Sequence, residues 1–207
     1  MKHLMSDKVR ASLFGFVLAA LTLAITSPAF AGPPTDFVKN KSAKLVEVIN
    51  QPVGDARTKA MQGEVRALVN YDELAKRALG EHWAKRSEAE RKEFISLLER
   101  LVELNYANRF KEKRSGQDYK VNYTDEKERA ETHQAIVKTE ITYGKDVFTI
   151  DYKLVNMSQT YTIYDIVFDE VSLEETYREA YVPIIAKEGW ANLLKRMKDK
   201  LTELERG

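Results

Sequence analysis

The sequence predicts an α+β fold, a four-stranded antiparallel curved sheet covered by helices, and three features predict it. After Ser115-Gly116 the apolar residues change from helical spacing to strict alternation. The elements run as helices, then strands, then helices, an order that gathers the helices on one side of a sheet. The stretch Tyr161 to Lys200 then joins one strand directly to two helices. Thr160 to Phe168 is dense in β-branched and aromatic residues, and Ser172 stands three residues before Glu175 in capping-box spacing. Leu173, Tyr177, Ala180, Ile184 and Ile185 follow at helical spacing until Gly189. A strand apolar on both faces must be covered on both, and these helices cover one.

The first residues stand outside the fold. Lys2, Lys8 and Arg10 form a positive start, Ala11 to Thr26 is an uncharged apolar run, and Ala29-Phe30-Ala31 supplies a small-x-small cleavage pattern. Residues 1–31 are therefore expected to be a signal peptide cleaved after Ala31. An uncleaved anchor is the alternative, but an uncharged run of 16 residues is short for a membrane span. The chain has no Cys, which excludes a lipoprotein anchor, disulfide staples and thiolate catalysis. Removing 31 of 207 residues leaves 176, enough for one core, so residues 32–207 are expected to form a single domain. Losing Lys2, Lys8, Arg10 and Asp7 turns the formal charge from +1 to −1. That balance argues against a nucleic-acid partner, which requires a net basic face.

Thr35 to Ile49 reads as a modest first helix, with Phe37, Val38, Leu45, Val46 and Ile49 at helical spacing, ended by Pro52 and Gly54. Arg57 to Val69 makes a second and Tyr71 to Leu79 a short third closed by Gly80. None is long enough to stand alone. Ser87 to Lys111 is the longest helix and opens on a second capping box, Ser87 with Glu90. Its stripe of Phe94, Leu97, Leu98, Leu101 and Leu104, widened by Ile95, Val102, Tyr106 and Phe110, implies burial against more than one neighbour. The strands follow as alternating runs: Tyr119, Val121, Tyr123; then Ala135, Val137, Ile141, Tyr143; then Phe148, Ile150, Tyr152, Leu154; then Thr160 to Phe168. Gly144-Lys145-Asp146 and Asn156 to Gln159 turn the chain between them, giving a meander with one apolar, aromatic face. Pro183 falls inside the apolar helical segment after Ser172, where it is expected to kink it.

The chemistry is sparse. His82 and His133 are the imidazoles of the mature chain, and neither has a catalytic context. No phosphate-binding glycine loop, HExxH or His/Cys metal cluster is present. Asp165, mid-strand between Tyr164 and Ile166, is the best acidic candidate. Buried, it would need hydrogen bonds. Either it ties the strand to the neighbouring helix, or it acts as a base in a steroid-isomerase-like cup.

Two long segments carry a resemblance. Asn70 to Phe110, NYDELAKRALGEHWAKRSEAERKEFISLLERLVELNYANRF, contains LG-x-x-W followed by S-x-x-x-R-x-x-F. Tyr161 to Lys200, YTIYDIVFDEVSLEETYREAYVPIIAKEGWANLLKRMKDK, contains YDI, VSL, YR, and a later Gly and Leu in order. Together they resemble the MlaC or toluene-tolerance auxiliary family over most of the mature chain. Two positions depart from that family's usual pattern: Tyr161 or Thr162 in place of Trp, and Glu170 in place of Gly before Val171-Ser172.

The resemblance implies a non-enzymatic periplasmic phospholipid carrier of the Mla system, which maintains outer-membrane lipid asymmetry. It implies phospholipid as cargo and no cofactor or metal. The implied partners are an inner-membrane ABC complex with an MCE-type subunit and an outer-membrane lipoprotein and porin complex. It also implies an apolar lipid cavity between sheet and helices. Two tails of about 30 methylenes together would cost roughly 24 kcal/mol to expose to water, at about 0.8 kcal/mol each, so such a carrier keeps them dry throughout. The expected lining is the apolar face of the sheet and of its covering helices: Phe94, Leu98, Leu101, Val121, Val137, Ile150, Tyr152, Tyr164, Ile166, Tyr181 and Ile184. The same residues would otherwise make a solid core, as in an adaptor with no ligand. The final helix sets Trp190, Leu193, Leu194, Met197 and Leu201 against Lys195, Arg196, Lys198 and Lys200. Its basic face either meets anionic headgroups or is simply solvated.

Overall fold

The computed structural model describes residues 32–111 and 119–206, with the side chains of 106–111 left aside. The expected signal peptide and cleavage site, and the Ser115-Gly116 boundary, lie outside the described residues. Four helices precede the long one: α1 (Pro33–Ile49), α2 (Asp55–Leu68), α3 (Tyr71–Leu79) and the single turn α4 (Glu81–Ala84), then α5 (Glu88–Lys111). Strands β1 (Tyr119–Arg129), β2 (Gln134–Tyr143), β3 (Asp146–Met157), β4 (Thr160–Phe168) and β5 (Val171–Ser172) lead into α6 (Leu173–Glu188) and α7 (Trp190–Arg206).

The sheet is antiparallel throughout in the order β1-β2-β3-β4-β5. The expectation of four strands is corrected to five. Asp169 and Glu170 both adopt left-handed backbone, φ 44 and 68, and this tight turn folds the chain back so that Val167 pairs with Ser172 and Phe168 with Val171. The departure from Gly at Glu170 thus falls where a glycine would be unstrained.

Local chemistry explains where the helices begin. Asn70 caps α3 by accepting from the Glu73 N–H at 3.1 Å. Ser87 and Glu90 complete a reciprocal box, with Ser87 N donating to Glu90 at 2.8 Å and Glu90 N to Ser87 Oγ at 3.3 Å. Ser172 caps α6 through the Glu175 N–H at 3.1 Å, and Gly189, φ 86, ends it. Pro183 lies within α6, which continues across it to Glu188.

The core lies between the inner sheet face and the helices. Phe94 is fully buried at the centre of an aromatic group, with ring centroids 6.4 Å from Trp83, 5.8 Å from Tyr181 and 5.5 Å from Trp190. This explains the LG-x-x-W and S-x-x-x-R-x-x-F motifs. Gly80 takes the left-handed turn between α3 and α4, Trp83 packs edge-on to Phe94, and Arg91 lies over the Trp83 ring while donating to the Trp83 carbonyl at 3.2 Å. Those motif residues fasten the α3–α4 corner onto α5, and the opposite end of α3 meets the sheet where Asn70 N donates to Ile163 O at 2.8 Å.

Candidate functional site: an apolar cavity under the first helix

Pairing register places side chains in rows across the inner sheet face. Tyr123, Thr139, Ile150 and Phe168 make one row, and Glu126, Val137, Tyr152 and Ile166 the next. Between these rows and the helices lies a cavity of about 60 Å³. Its sheet wall is Tyr119, Val121, Ile150, Tyr152, Ile166 and Phe168; its helical wall is Ser42, Leu45, Val46 and Ile49 of α1, Val65 and Leu68 of α2, Val102 of α5 and the start of α6 at Leu173, with Val69 after α2. No acidic or basic side chain is among these residues. Burial pushes the Tyr119 phenol up to about 12, and raises that of Tyr152 further, so both stay neutral. A wall of this composition favours hydrocarbon over any charged ligand.

Four of the expected lining residues, Val121, Ile150, Tyr152 and Ile166, lie on this cavity. Three others, Leu101, Tyr181 and Ile184, border a separate groove of about 190 Å³ among α5, α6 and α7. Phe94, Leu98 and Val137 are fully buried in the core. Tyr164 is displaced by a β-bulge: Lys153 pairs with Asp165 and Leu154 with Ile163, leaving Tyr164 unpaired between them. Its ring instead stacks under the Arg77 guanidinium of α3, 3.9 Å from the centroid.

The α1 and α2 wall is absent from the expected lining. The signal was present as Leu45, Val46 and Ile49 at helical spacing, but sequence does not say which short helix lies over which part of a sheet. The structure supplies the reason. Pro33 and Pro34 open α1 without N–H groups, and the next donor, Thr35 N, is met by the Glu126 carboxylate of β1 at 2.9 Å. A second bulge, between Tyr123 and Asp125, resets the alternation so that Glu126 pairs with Val137. This carboxylate at a helix N-terminus pins α1 across the sheet.

Asp165 is fully buried and holds three donors: Ser172 Oγ at 2.7 Å, Glu174 N at 2.9 Å and Lys153 Nζ at 2.9 Å. It ties β4 to the start of α6 and does not line the cavity. His133 sits in left-handed backbone closing the turn after β1. Among the described residues no cluster of three or more His, Cys, Asp or Glu could hold a metal, and no helix is long and apolar enough to cross a membrane. On α7 every cation considered for headgroups has a carboxylate partner: Lys195 with Asp199, Arg196 with Glu188, Lys198 with Glu93 and Lys200 with Glu203, all within 2.9 Å.

The same architecture occurs in a solved structure of a phospholipid-binding protein from Ralstonia solanacearum in complex with a phospholipid. The two superpose with a TM-score of 0.72 over 82% of this chain and 97% of that one, at 16% sequence identity. No curated protein sequence matches this chain significantly. The MlaC protein family model matches residues 39–199, from the middle of α1 to near the end of α7. The chain belongs to the MlaC family.

Proposed function

We propose that this chain is a periplasmic phospholipid carrier that takes acyl chains into the cavity beneath α1 and α2. In this role it shuttles lipid between the outer membrane and an inner-membrane ABC complex bearing an MCE-type subunit, maintaining outer-membrane lipid asymmetry, with a lipoprotein and porin complex as its outer-membrane partner. One observation carries the reading: a wholly uncharged cavity between sheet and helices, in a family fold whose Ralstonia counterpart holds a phospholipid. The expected signal peptide supports the periplasmic setting. The role is transport and not catalysis, a reading supported by Asp165, whose oxygens are taken up by Ser172, Glu174 and Lys153.

At about 60 Å³ the cavity is well below the roughly 300–1,000 Å³ of typical ligand pockets, so cargo entry requires a wall to move. The N-terminal end of α1 is pinned by Glu126, and the Asn50–Gly54 segment joins its other end to α2. Outward displacement of Leu45, Val46 and Ile49, at the end of α1 away from Glu126, leaves that anchor in place and is the proposed route. The test is native mass spectrometry of protein purified from the bacterial envelope. Wild type is expected to carry co-purifying phospholipid, while Leu45→Trp and Val121→Trp, which fill the cavity from opposite walls, are expected to emerge folded and empty. A bare protein mass that persists after incubation with phospholipid vesicles would overturn the proposal.

A further inference from the structure

We infer that the Tyr152 hydroxyl is a hydrogen-bond donor for an ester carbonyl of a diacyl phospholipid in the cavity, an inference that rests on the carrier function proposed above. Tyr152 is 5% exposed and its side chain forms part of the cavity wall. Among the described residues its hydroxyl has no hydrogen-bond partner, and it is not sealed within the protein, so the space it meets is the cavity. Its buried neighbours differ: Thr139 Oγ1 donates to Ile150 O at 2.6 Å, and Asp165 accepts three bonds. A donor that opens onto an apolar wall with no protein acceptor leaves room for a ligand acceptor, which adds a hydrogen bond there. Burial raises the phenol pKa and keeps the proton on the oxygen, which makes the group a neutral donor at any physiological pH.

Position within the cavity favours an ester over a headgroup. Phe168 and Leu173 are shared between the cavity and an open hollow bordered by Asn105, Asp169, Thr176 and Tyr177, which marks that end as the mouth. Tyr152 stands in the next row inward from Ile150 and Phe168, two residues or about 7 Å along the strand. When a headgroup occupies the polar hollow and the chains lie inside, the ester linkages fall at about this depth. An ester carbonyl is a good acceptor with no proton of its own, which complements a lone donor in an apolar wall. The ether oxygens of a dialkyl lipid are much poorer acceptors.

The experiment offers full-length mature protein equal amounts of diester phosphatidylglycerol and a diether counterpart with matched chains, in mixed vesicles, and reads bound lipid by native mass spectrometry. Wild type is expected to favour the diester by roughly three- to tenfold, the worth of one hydrogen bond. Tyr152→Phe is expected to take both equally, with an unfolding midpoint no lower than wild type. Equal uptake by wild type, or a preference that survives in Tyr152→Phe, overturns this inference alone. Wild type that takes up neither lipid overturns the carrier function, and this inference with it.

Discussion

Asp165 illustrates how a single buried charge can look catalytic in a sequence and prove structural in three dimensions. Its carboxylate receives one backbone N–H, one hydroxyl and one ammonium, which accounts for its acceptor directions and explains why it tolerates complete burial. Removing it strands Lys153 and frees the first turn of α6, so Asp165→Ala is expected to cost about 3 kcal/mol, read as a lower urea midpoint with unchanged slope. Loss of less than about 1 kcal/mol would show that the triad contributes little. Glu170 raises the opposite question. At φ 68 it stands where a Gly would be at ease, and Asp169 beside it is held by accepting from the Thr149 N–H at 2.8 Å. The strained pair is therefore fixed from the β3 side, which no local motif announces.

The longer helices and the first four strands were legible because period and caps agree: Ser87 and Ser172 each start a helix where their spacing places it. What was not legible was register. Two bulges, at Thr124 and Tyr164, each reverse the alternation partway along a strand, removing Tyr164 from the row of Ile166 and bringing Glu126 into the row of Tyr152. Simple alternation therefore named four of the six sheet-wall residues and none of the α1 wall. The Glu126 bulge also makes an element-level prediction. A Cβ on Gly32 would collide with the Glu126 carboxylate, so Gly32 and Glu126 share one contact at the start of α1. Glu126→Ala and Gly32→Ala are each expected to cost about 1 kcal/mol, as for a lost helix cap. The double variant should cost no more than the larger single one. Additive losses in a denaturation cycle would mean that Glu126 does not anchor α1 in this way.

Taken as a whole, the molecule concentrates tyrosine in its interior, and this sets its response to alkali. Tyr71, Tyr152 and Tyr181 have phenols raised chiefly by burial, and Tyr119 is pushed up to about 12 for the same reason. In the unfolded chain each titrates near pH 10. Below that value both states are protonated and these groups leave stability unchanged; above it the unfolded state ionises first, and stability falls until the folded values are reached. Lys153 acts in the same direction: burial lowers its pKa, but the hydrogen bond and charge of Asp165 outweigh this and raise it, so that its stabilising contribution is also lost as pH rises. Each displaced tyrosine contributes a slope of about 1.4 kcal/mol per pH unit, so four together give at most about 5 kcal/mol per unit. Urea unfolding at intervals from pH 9 to 11.5 should show this steep loss beginning near pH 10, and Tyr152→Phe should make it shallower by about a quarter. A flat profile across that range would mean that the cavity and core admit enough water to ionise these phenols in place, which would contradict the dry lining on which lipid carriage depends.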